Sequence, residues 1–112
     1  MRIKQREVDG VVILDVSGDM HGGAENLELV GMLDRLGEGG KLDAVLNLQK
    51  VKFISSTGLG IMVRARAHYA SHGGRLVVCG ANARVLSLVY VTKLNLLFDM
   101  HEKCRDAVAA FA

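Results

Sequence analysis

Short apolar runs alternate with amphipathic segments along the chain, and no other feature of the sequence constrains the fold as strongly. Residues 44–48 and 75–79 form two such runs, which are typical of strands buried on both faces. Amphipathic periodicity predicts helices at about residues 24–36, 57–71 and 82–92. Because strands that alternate with helices assemble into a parallel or mixed sheet, the pattern indicates an α/β fold.

The N-terminal segment adds an antiparallel hairpin to this pattern. Asp9-Gly10 separates two strand-like segments at residues 3–8 and 11–16, and this dipeptide favours a tight turn with positive φ at both positions. We therefore predict a mixed sheet of four to five strands that begins with a hairpin and is covered by helices.

The C-terminal segment is predicted to form a short final strand at residues 96–98 and a terminal helix at residues 103–111. The first helix should turn one apolar stripe toward the core, and this stripe consists of Leu27, Val30, Leu33 and Leu36.

The composition is that of one globular domain over residues 1–112, with 50% hydrophobic and 23% charged residues. Charge is nearly balanced, with 14 basic and 12 acidic side chains, so it favours neither direct nucleic-acid binding nor attraction to an anionic membrane. The N-terminal segment lacks the basic-then-apolar pattern of a signal peptide, and no apolar run approaches the roughly 20 residues of a membrane span. We expect a cytoplasmic protein without membrane insertion.

The motif FISSTGLG, at residues 53–60, places three consecutive hydroxyl groups between a predicted strand and a predicted helix. A hydroxyl at the exposed start of a helix can cap the helix, act as a nucleophile or accept a phosphate group. The two glycines that follow, Gly58 and Gly60, have no side chain and so leave the backbone accessible to a ligand or a partner. This motif is therefore the first candidate for a functional site.

Nucleotide binding and acyl-transfer chemistry are both disfavoured around this motif. A P-loop requires a lysine directly after its glycines, and Ile61 stands there instead. A nucleophile elbow requires a glycine two residues before its serine, and Phe53 and Ile54 occupy those positions. No histidine has an obvious carboxylate partner in the sequence. We predict that the protein is not an enzyme and uses no cofactor.

His68 and His72 stand four residues apart on one predicted helix, a spacing that can hold a metal ion. Two ligands are a weak signal, and the favoured interpretation is an exposed polar face shared with Arg64. No metal site is predicted.

Capping accounts for one of the hydroxyls of Ser55, Ser56 and Thr57, and three in succession exceed what one cap requires. A phosphate on a spare hydroxyl would meet the positive end of the helix dipole, so the fold would tolerate it. A regulatory effect would then act at the surface of a partner, through roughly −1.5 to −2 units of added charge.

Residues 53–60 resemble the signature of STAS domains, specifically of the bacterial anti-sigma factor antagonists. That signature is an apolar pair followed by Asp, then Ser, then Ser or Thr, then Gly-Leu-Gly. The resemblance covers nearly the whole chain, because the hairpin, the turn at residues 18–20 and the strands on either side of the motif follow the order of the family. It implies a single STAS domain over residues 1–112.

The resemblance implies a partner-switching regulator of transcription. Such a protein, when free of phosphate, binds an anti-sigma factor that is also a serine/threonine kinase of the histidine-kinase-like ATPase type, and binding releases a sigma factor. The kinase phosphorylates the last hydroxyl before Gly-Leu-Gly, which is Thr57 here, with Ser56 as the alternative, and a PP2C-type phosphatase removes the phosphate. The implied partner-binding residues are Asp19, His21, Ser55, Ser56, Thr57, Gly58, Leu59 and Gly60.

Two positions depart from the family pattern. Ser55 replaces the usual aspartate of the signature, and His21 replaces an acidic residue that is usual just after the first hairpin. Both carboxylates help to form the partner-facing surface in typical members. These changes also fit a constitutive docking subunit, either of a signalling scaffold or of a lipid-transport ABC complex.

Overall fold

Five strands and four α-helices make up the described part of the chain. The computed structural model describes residues 1–111, apart from the side chain of Glu25, so the predicted domain end at Ala112 lies outside the described residues. The strands are β1 (Arg2–Val8), β2 (Val11–Ser17), β3 (Asp43–Lys50), β4 (Arg75–Cys79) and β5 (Asp99–His101). The helices are α1 (Leu27–Glu38), α2 (Ser56–Ser71), α3 (Ala83–Val91) and α4 (Cys104–Ala109). Short 3-10 turns at Ala24–Asn26 and Leu94–Leu96 precede α1 and β5.

The strands form one mixed sheet in the order β1-β2-β3-β4-β5. β1 pairs with β2 in the antiparallel direction, and each later neighbouring pair is parallel. The predicted α/β class and mixed sheet are confirmed. Because β2 to β5 are parallel, the loops that follow them lie at one edge of the sheet, which we call the carboxyl edge.

Each face of the sheet has its own apolar core. Val12, Leu14, Leu46 and Val78 belong to the core under α1, α2 and α3, whereas Val11, Ile13, Val45 and Val77 pack with Ala107 of α4. Successive residues of a strand point to opposite faces, so strands covered on both sides need continuous apolar runs. This arrangement explains the uninterrupted runs in the sequence. α4 also carries Cys104, which is a half-buried free thiol near the buried Cys79.

The hairpin turn is confirmed in the form that its sequence predicts. Asp9 has φ 51° and Gly10 has φ 79°, and Val8 pairs directly with Val11. Positive φ at both central positions matches the twist of the two strands, so the turn sets the register of β1 on β2.

The predicted strand at residues 96–98 is wrong. Leu96 ends a 3-10 turn and is 83% exposed, whereas only Phe98 of this segment enters the core. The strand lies further along, at β5, where the backbone of Asp99 pairs with Val77. The prediction relied on an apolar run, whereas this strand is defined by its main-chain pairing with β4.

The predicted core stripe of α1 is wrong at its first position. Leu27 is the first residue of the helix and is 43% exposed, whereas the preceding residue, Asn26, is the one that is buried at this end of the helix. Val30 and Leu33 are buried as predicted, Leu36 packs partly buried against the core, and Leu29 and Gly37 are buried in addition. α1 continues through Glu38, two residues beyond its predicted end. Within residues 1–111, no helix has both the length and the apolar character needed to cross a membrane.

Asp15 ties the edge strand to the sheet by two side-chain hydrogen bonds. Arg6 of β1 donates from Nε to Oδ2 at 2.6 Å, and Asn47 of β3 donates from Nδ2 to Oδ1 at 2.8 Å. The hydrogen bond from Arg6 is the main reason why the pKa of Asp15 is lowered, and the bond from Asn47 and the charge of Lys50 add to it. The folded state therefore favours the ionised carboxylate.

We expect Asp15→Asn to lower the free energy of unfolding at neutral pH by about 1 kcal/mol, the usual contribution of a partly exposed charged hydrogen bond. Because the pKa is lower in the folded state, this stabilisation is present above the unfolded value of about 3.9 and is lost as the pH falls through the folded-state pKa. Urea denaturation at neutral and acidic pH measures the difference. Arg6→Met should remove most of the same pH dependence, and an Asp15→Asn protein that keeps it would contradict the assignment.

Candidate functional site

Two loops at the carboxyl edge are joined by main-chain pairing. The N–H of Met20, after β2, donates to the carbonyl of Phe53 at 2.9 Å, and the N–H of Ser55 donates to the carbonyl of Met20 at 2.8 Å. Met20 and Ile54 form a parallel bridge, and their side chains are buried. The loop that carries Asp19 therefore lies beside the loop that leads into α2.

Ser55 caps α2. Its backbone is extended, with φ −76° and ψ 165°, and its Oγ accepts a hydrogen bond from the N–H of Gly58 at 3.0 Å. Its carbonyl oxygen accepts the first helical hydrogen bond, from Leu59 at 2.9 Å. The prediction that one of the three hydroxyls is a cap is confirmed, and Ser55 is that residue.

The other two hydroxyls lie on the surface. Ser56 and Thr57 are both exposed in the first turn of α2, and within residues 1–111 neither side chain takes part in a hydrogen bond. Each hydroxyl is therefore available to a protein or a phosphoryl group that approaches the carboxyl edge.

Thr57 rests on Gly22. A Cβ at Gly22 would overlap Cγ2 of Thr57 and lie 2.7 Å from its Cβ, and the φ of Gly22 is +89°. The N–H of Gly22 donates to Oδ1 of Asn26, whose side chain is 1% exposed. Asn26 thus fixes the loop that supports Thr57. The sequence analysis missed this role, for which the only sequence signal is a small polar residue just before α1.

Gly58 and Leu59 do not face solvent. Leu59 is 2% exposed in the core, and a Cβ at Gly58 would lie 2.5 Å from the carbonyl oxygen of Met20. They bring the start of α2 against the Met20 loop and support the surface from beneath, and a direct role of either residue in partner binding stays a prediction. Gly60 is exposed, and a Cβ there would meet no atom within 4 Å.

Three further residues complete the surface. His21 was predicted to bind a partner, whereas Phe53 and Arg84 were not among the predicted partner-binding residues. The ring of His21 lies 5.4 Å from the ring of Phe53, and the guanidinium of Arg84 lies 5.6 Å from the same ring. His21 Nε2 is 3.9 Å from Oδ2 of Asp19, and both side chains are exposed. Arg84 stands at the start of α3, directly after β4, so the rule that loops after parallel strands form sites could have identified it.

α3 docks on the loop after β3. Asn82 caps α3 by accepting from the N–H of Val85 at 2.9 Å, and its amide donates to the carbonyl of Lys52 at 3.1 Å. Between this helix and the loop lies an open apolar groove of about 290 Å³, which is lined by Phe53, Ile54, Arg84, Val85, Ser87, Leu88 and Val91. The surface that carries the exposed hydroxyls of Ser56 and Thr57 therefore adjoins an apolar groove at the loop of residues 53–55.

The start of α2 is suited to negative charge. A helix N-terminus carries about half a positive charge, and the first turn of α2 contains no acidic side chain. The cap of Ser55 uses the N–H of Gly58 and leaves the N–H groups of the preceding two residues without helical partners. A phosphate on either exposed hydroxyl would meet these groups.

Comparison with known proteins assigns the fold to a family. The family model of the STAS domain matches residues 2–109. TM1081 from Thermotoga maritima, assigned as an anti-sigma factor antagonist, is 24% identical, with a TM-score of 0.83 over 96% of this chain and 92% of that one. An anti-sigma factor antagonist from Mycobacterium paratuberculosis is 21% identical, with a TM-score of 0.81 over 97% and 92%.

A third solved structure is the phosphorylated form of SpoIIAA, a Bacillus cell fate determinant. It is 12% identical, with a TM-score of 0.72 over 99% of this chain and 100% of that one. At these identities the solved structures show a shared fold. No curated protein sequence gives a significant match.

We expect Gly58→Ala and Gly60→Ala to have opposite effects on stability. The Cβ at position 58 would collide with a backbone carbonyl, which should cost about 1–3 kcal/mol in the free energy of unfolding. At position 60 the Cβ meets open space, so the gain in helix propensity should stabilise the protein by about 0.5–1 kcal/mol. Chemical denaturation of the two variants checks this, and equal effects would show that the close approach at Gly58 does not matter.

Proposed function

Because the chain belongs to the STAS domain family, we propose that it is an anti-sigma factor antagonist regulated by phosphorylation at Thr57. The form without phosphate binds an anti-sigma factor that is also a serine/threonine kinase of the histidine-kinase-like ATPase type. The phosphorylated form dissociates, and a PP2C-type phosphatase restores binding. Two structural neighbours that are described as anti-sigma factor antagonists support the general role.

One observation carries the assignment of the phosphate acceptor. Ser55 is committed to the cap, whereas the hydroxyl of Thr57 is exposed and makes no hydrogen bond within residues 1–111. Thr57 is also held in place by its contact with Gly22, while Ser56 is the alternative acceptor without such a contact. A fixed and accessible hydroxyl is what a kinase needs in order to align it with a phosphate donor.

The proposed switch acts at the partner interface rather than through the fold. A phosphate at Thr57 adds roughly −1.5 to −2 charge units next to the positive end of α2, where the host helix is stabilised by it. In a complex, the same group would be desolvated against the partner, and an unpaired charge in an interface costs several kcal/mol. The free protein therefore stays folded while the complex is weakened.

The replacement of the usual aspartate by Ser55 alters the charge of the surface but not its geometry. Serine and aspartate are both good N-caps, so the start of α2 is maintained. Beside the start of α2, Asp19 supplies a negative charge next to the exposed His21, and the cationic Arg84 lies on the other side of Phe53. We propose that the cognate kinase presents a less basic surface than the kinases of typical family members.

The protein is proposed to act by binding and not by catalysis. Within residues 1–111, no histidine ring hydrogen-bonds a serine or threonine hydroxyl, since the Ser71 hydroxyl donates to the backbone carbonyl of His68, so the nucleophile–base pair of a hydrolase is missing from the described residues. The side chains at the carboxyl edge form an open surface and groove, which suit a protein partner.

A constitutive docking subunit is the second candidate. The apolar groove beside α3 supports it, because binding there would not require a free hydroxyl at Thr57. Under this function, treatment with a phosphatase would leave partner binding unchanged.

We expect the cognate kinase, recovered with the protein from its native cells, to add one phosphate in the presence of Mg-ATP. Thr57→Ala should abolish the modification, whereas Ser56→Ala should retain it, because only Thr57 is proposed as the acceptor. Intact-protein mass spectrometry with peptide mapping reads the result. A phosphate found only at Ser87 or another distant residue would refute the site.

We expect Thr57→Asp to weaken the complex with the anti-sigma factor by about a hundredfold, which corresponds to about 2.7 kcal/mol of binding free energy. Thermal stability should change little, since a carboxylate is tolerated at the start of a helix. Thr57→Val is the matched control, because it keeps the shape without charge and should bind like the wild type. If Thr57→Asp binds as tightly as Thr57→Val, the docking function is favoured instead.

A further inference from the structure

α1 and α2 pack against each other and place four metal-ligating side chains together at their C-terminal ends. Asp34 and Glu38 stand four residues apart on α1, and His68 and His72 stand four residues apart at the end of α2. Residues at this spacing project from the same side of a helix. A carboxylate pair therefore faces an imidazole pair across the helix–helix contact.

The distances within this cluster are close to those of a metal centre. Nε2 of His72 is 2.7 Å from Oδ1 of Asp34, and Nδ1 of His68 is 3.9 Å from the same oxygen. Ligand atoms of Asp34, Glu38 and His72 all lie within 4.8 Å of one another. Tetrahedral zinc sites have bonds of about 2.0–2.2 Å, which places neighbouring ligand atoms roughly 3.3–3.6 Å apart. The present separations, from 2.7 Å to at most 4.8 Å, lie on either side of that value.

The position in the fold favours a cation. Helix C-termini carry about half a negative charge each, and both α1 and α2 end at this cluster. Asp34 and Glu38 add full negative charges to a helix end where acidic side chains are unfavourable. The last turn of α1 contains one basic side chain, Arg35, and the end of α2 contributes the two imidazoles. A dication would offset both carboxylates and both helix ends.

The frame around the cluster is firm, and its outer side is open. The ring of His72 lies on Gly37, where a Cβ would be 2.6 Å from the ring atoms. The hydroxyl of the buried Tyr69 donates to the carbonyl of Lys41 at 2.5 Å and so ties α2 to the segment after α1. The side chains of Asp34 and His68 are 40% and 46% exposed, so an ion can enter from solvent.

We propose that Asp34, Glu38 and His72, with His68 as the fourth ligand, bind one divalent first-row transition metal ion, for which Zn²⁺ is the probe. Imidazole nitrogen selects such ions over Mg²⁺ and Ca²⁺, which prefer oxygen ligands throughout. Two carboxylates and two imidazoles satisfy the four-coordinate preference of zinc. The site is independent of the function proposed for Thr57.

The test is calorimetric titration of the full, tag-free chain, freed of metal by a chelator, with Zn²⁺ and, separately, with Mg²⁺. We expect saturable one-to-one binding of Zn²⁺ alone. His72→Ala and Glu38→Gln should each weaken it at least tenfold, because each removes a ligand. Glu38→Gln changes an exposed side chain and keeps the test valid if His72→Ala folds poorly, which circular dichroism would reveal.

Two control variants distinguish this site from other metal ligands in the chain. His21→Ala removes an exposed imidazole elsewhere and should leave the affinity unchanged. Cys104→Ser removes one of two neighbouring thiols and should also leave it unchanged, with no thiolate charge-transfer band when Co²⁺ replaces Zn²⁺. The proposal is overturned by a lack of one-to-one Zn²⁺ binding, by full binding in His72→Ala and Glu38→Gln, or by its loss in Cys104→Ser.

Discussion

The main-chain pairing of Met20 with the segment after β3 is the interaction on which the carboxyl edge depends. Its N–H and carbonyl bind the backbone on both sides of Ile54, and the same carbonyl lies where a side chain at Gly58 would be. One buried residue therefore fixes the loop after β2, the end of the loop after β3 and the first turn of α2. Without this pairing, Asp19 and Thr57 would belong to two separate loops.

One hydroxyl of the motif caps α2 and another is the proposed phosphate acceptor, and a single residue could not serve in both roles. A hydroxyl that caps a helix is already hydrogen-bonded, and capping contributes about 1 kcal/mol. Because Ser55 performs this task, the proposed modification of Thr57 would leave the cap intact. Gly22 adds a steric constraint, since its positive φ and the closeness of Thr57 both exclude a side chain there. The helix start would thus be stable with or without the proposed phosphate on Thr57.

The sequence predicted those parts of the fold that local chemistry determines. Asp9-Gly10 adopts the positive φ angles that its residue types favour, and α2 starts and ends within one residue of its predicted bounds. The strand at residues 96–98 was misplaced because β5 is polar and is defined by pairing with β4. A strand at a sheet edge needs only backbone partners, so hydrophobicity does not reveal it.

The candidate site was directly visible in the sequence only as one continuous motif, and Asp19 and His21 were added by the family resemblance. Arg84 at the start of α3 and the buried Asn26 just before α1 lie in two other segments, and no spacing in the sequence relates them to the motif. The same limit applies to the histidine pair of α2, whose carboxylate partners lie on α1, more than thirty positions earlier. Contacts between distant segments depend on helix packing, which periodicity alone does not specify.

α2 connects the two regions and also keeps them electrostatically separate. Thr57 and His68 are eleven residues apart on α2, which is about 16 Å along the helix and about twice the Debye length of roughly 8 Å at physiological ionic strength. Charge at the histidine end is therefore screened from a phosphate at Thr57, and a metal ion there would act on the packing of α1 and α2. Because a cation that binds only the folded state raises stability, and a phosphate at the helix start acts mainly on partner affinity, the two ligands would change different measurable properties of one domain.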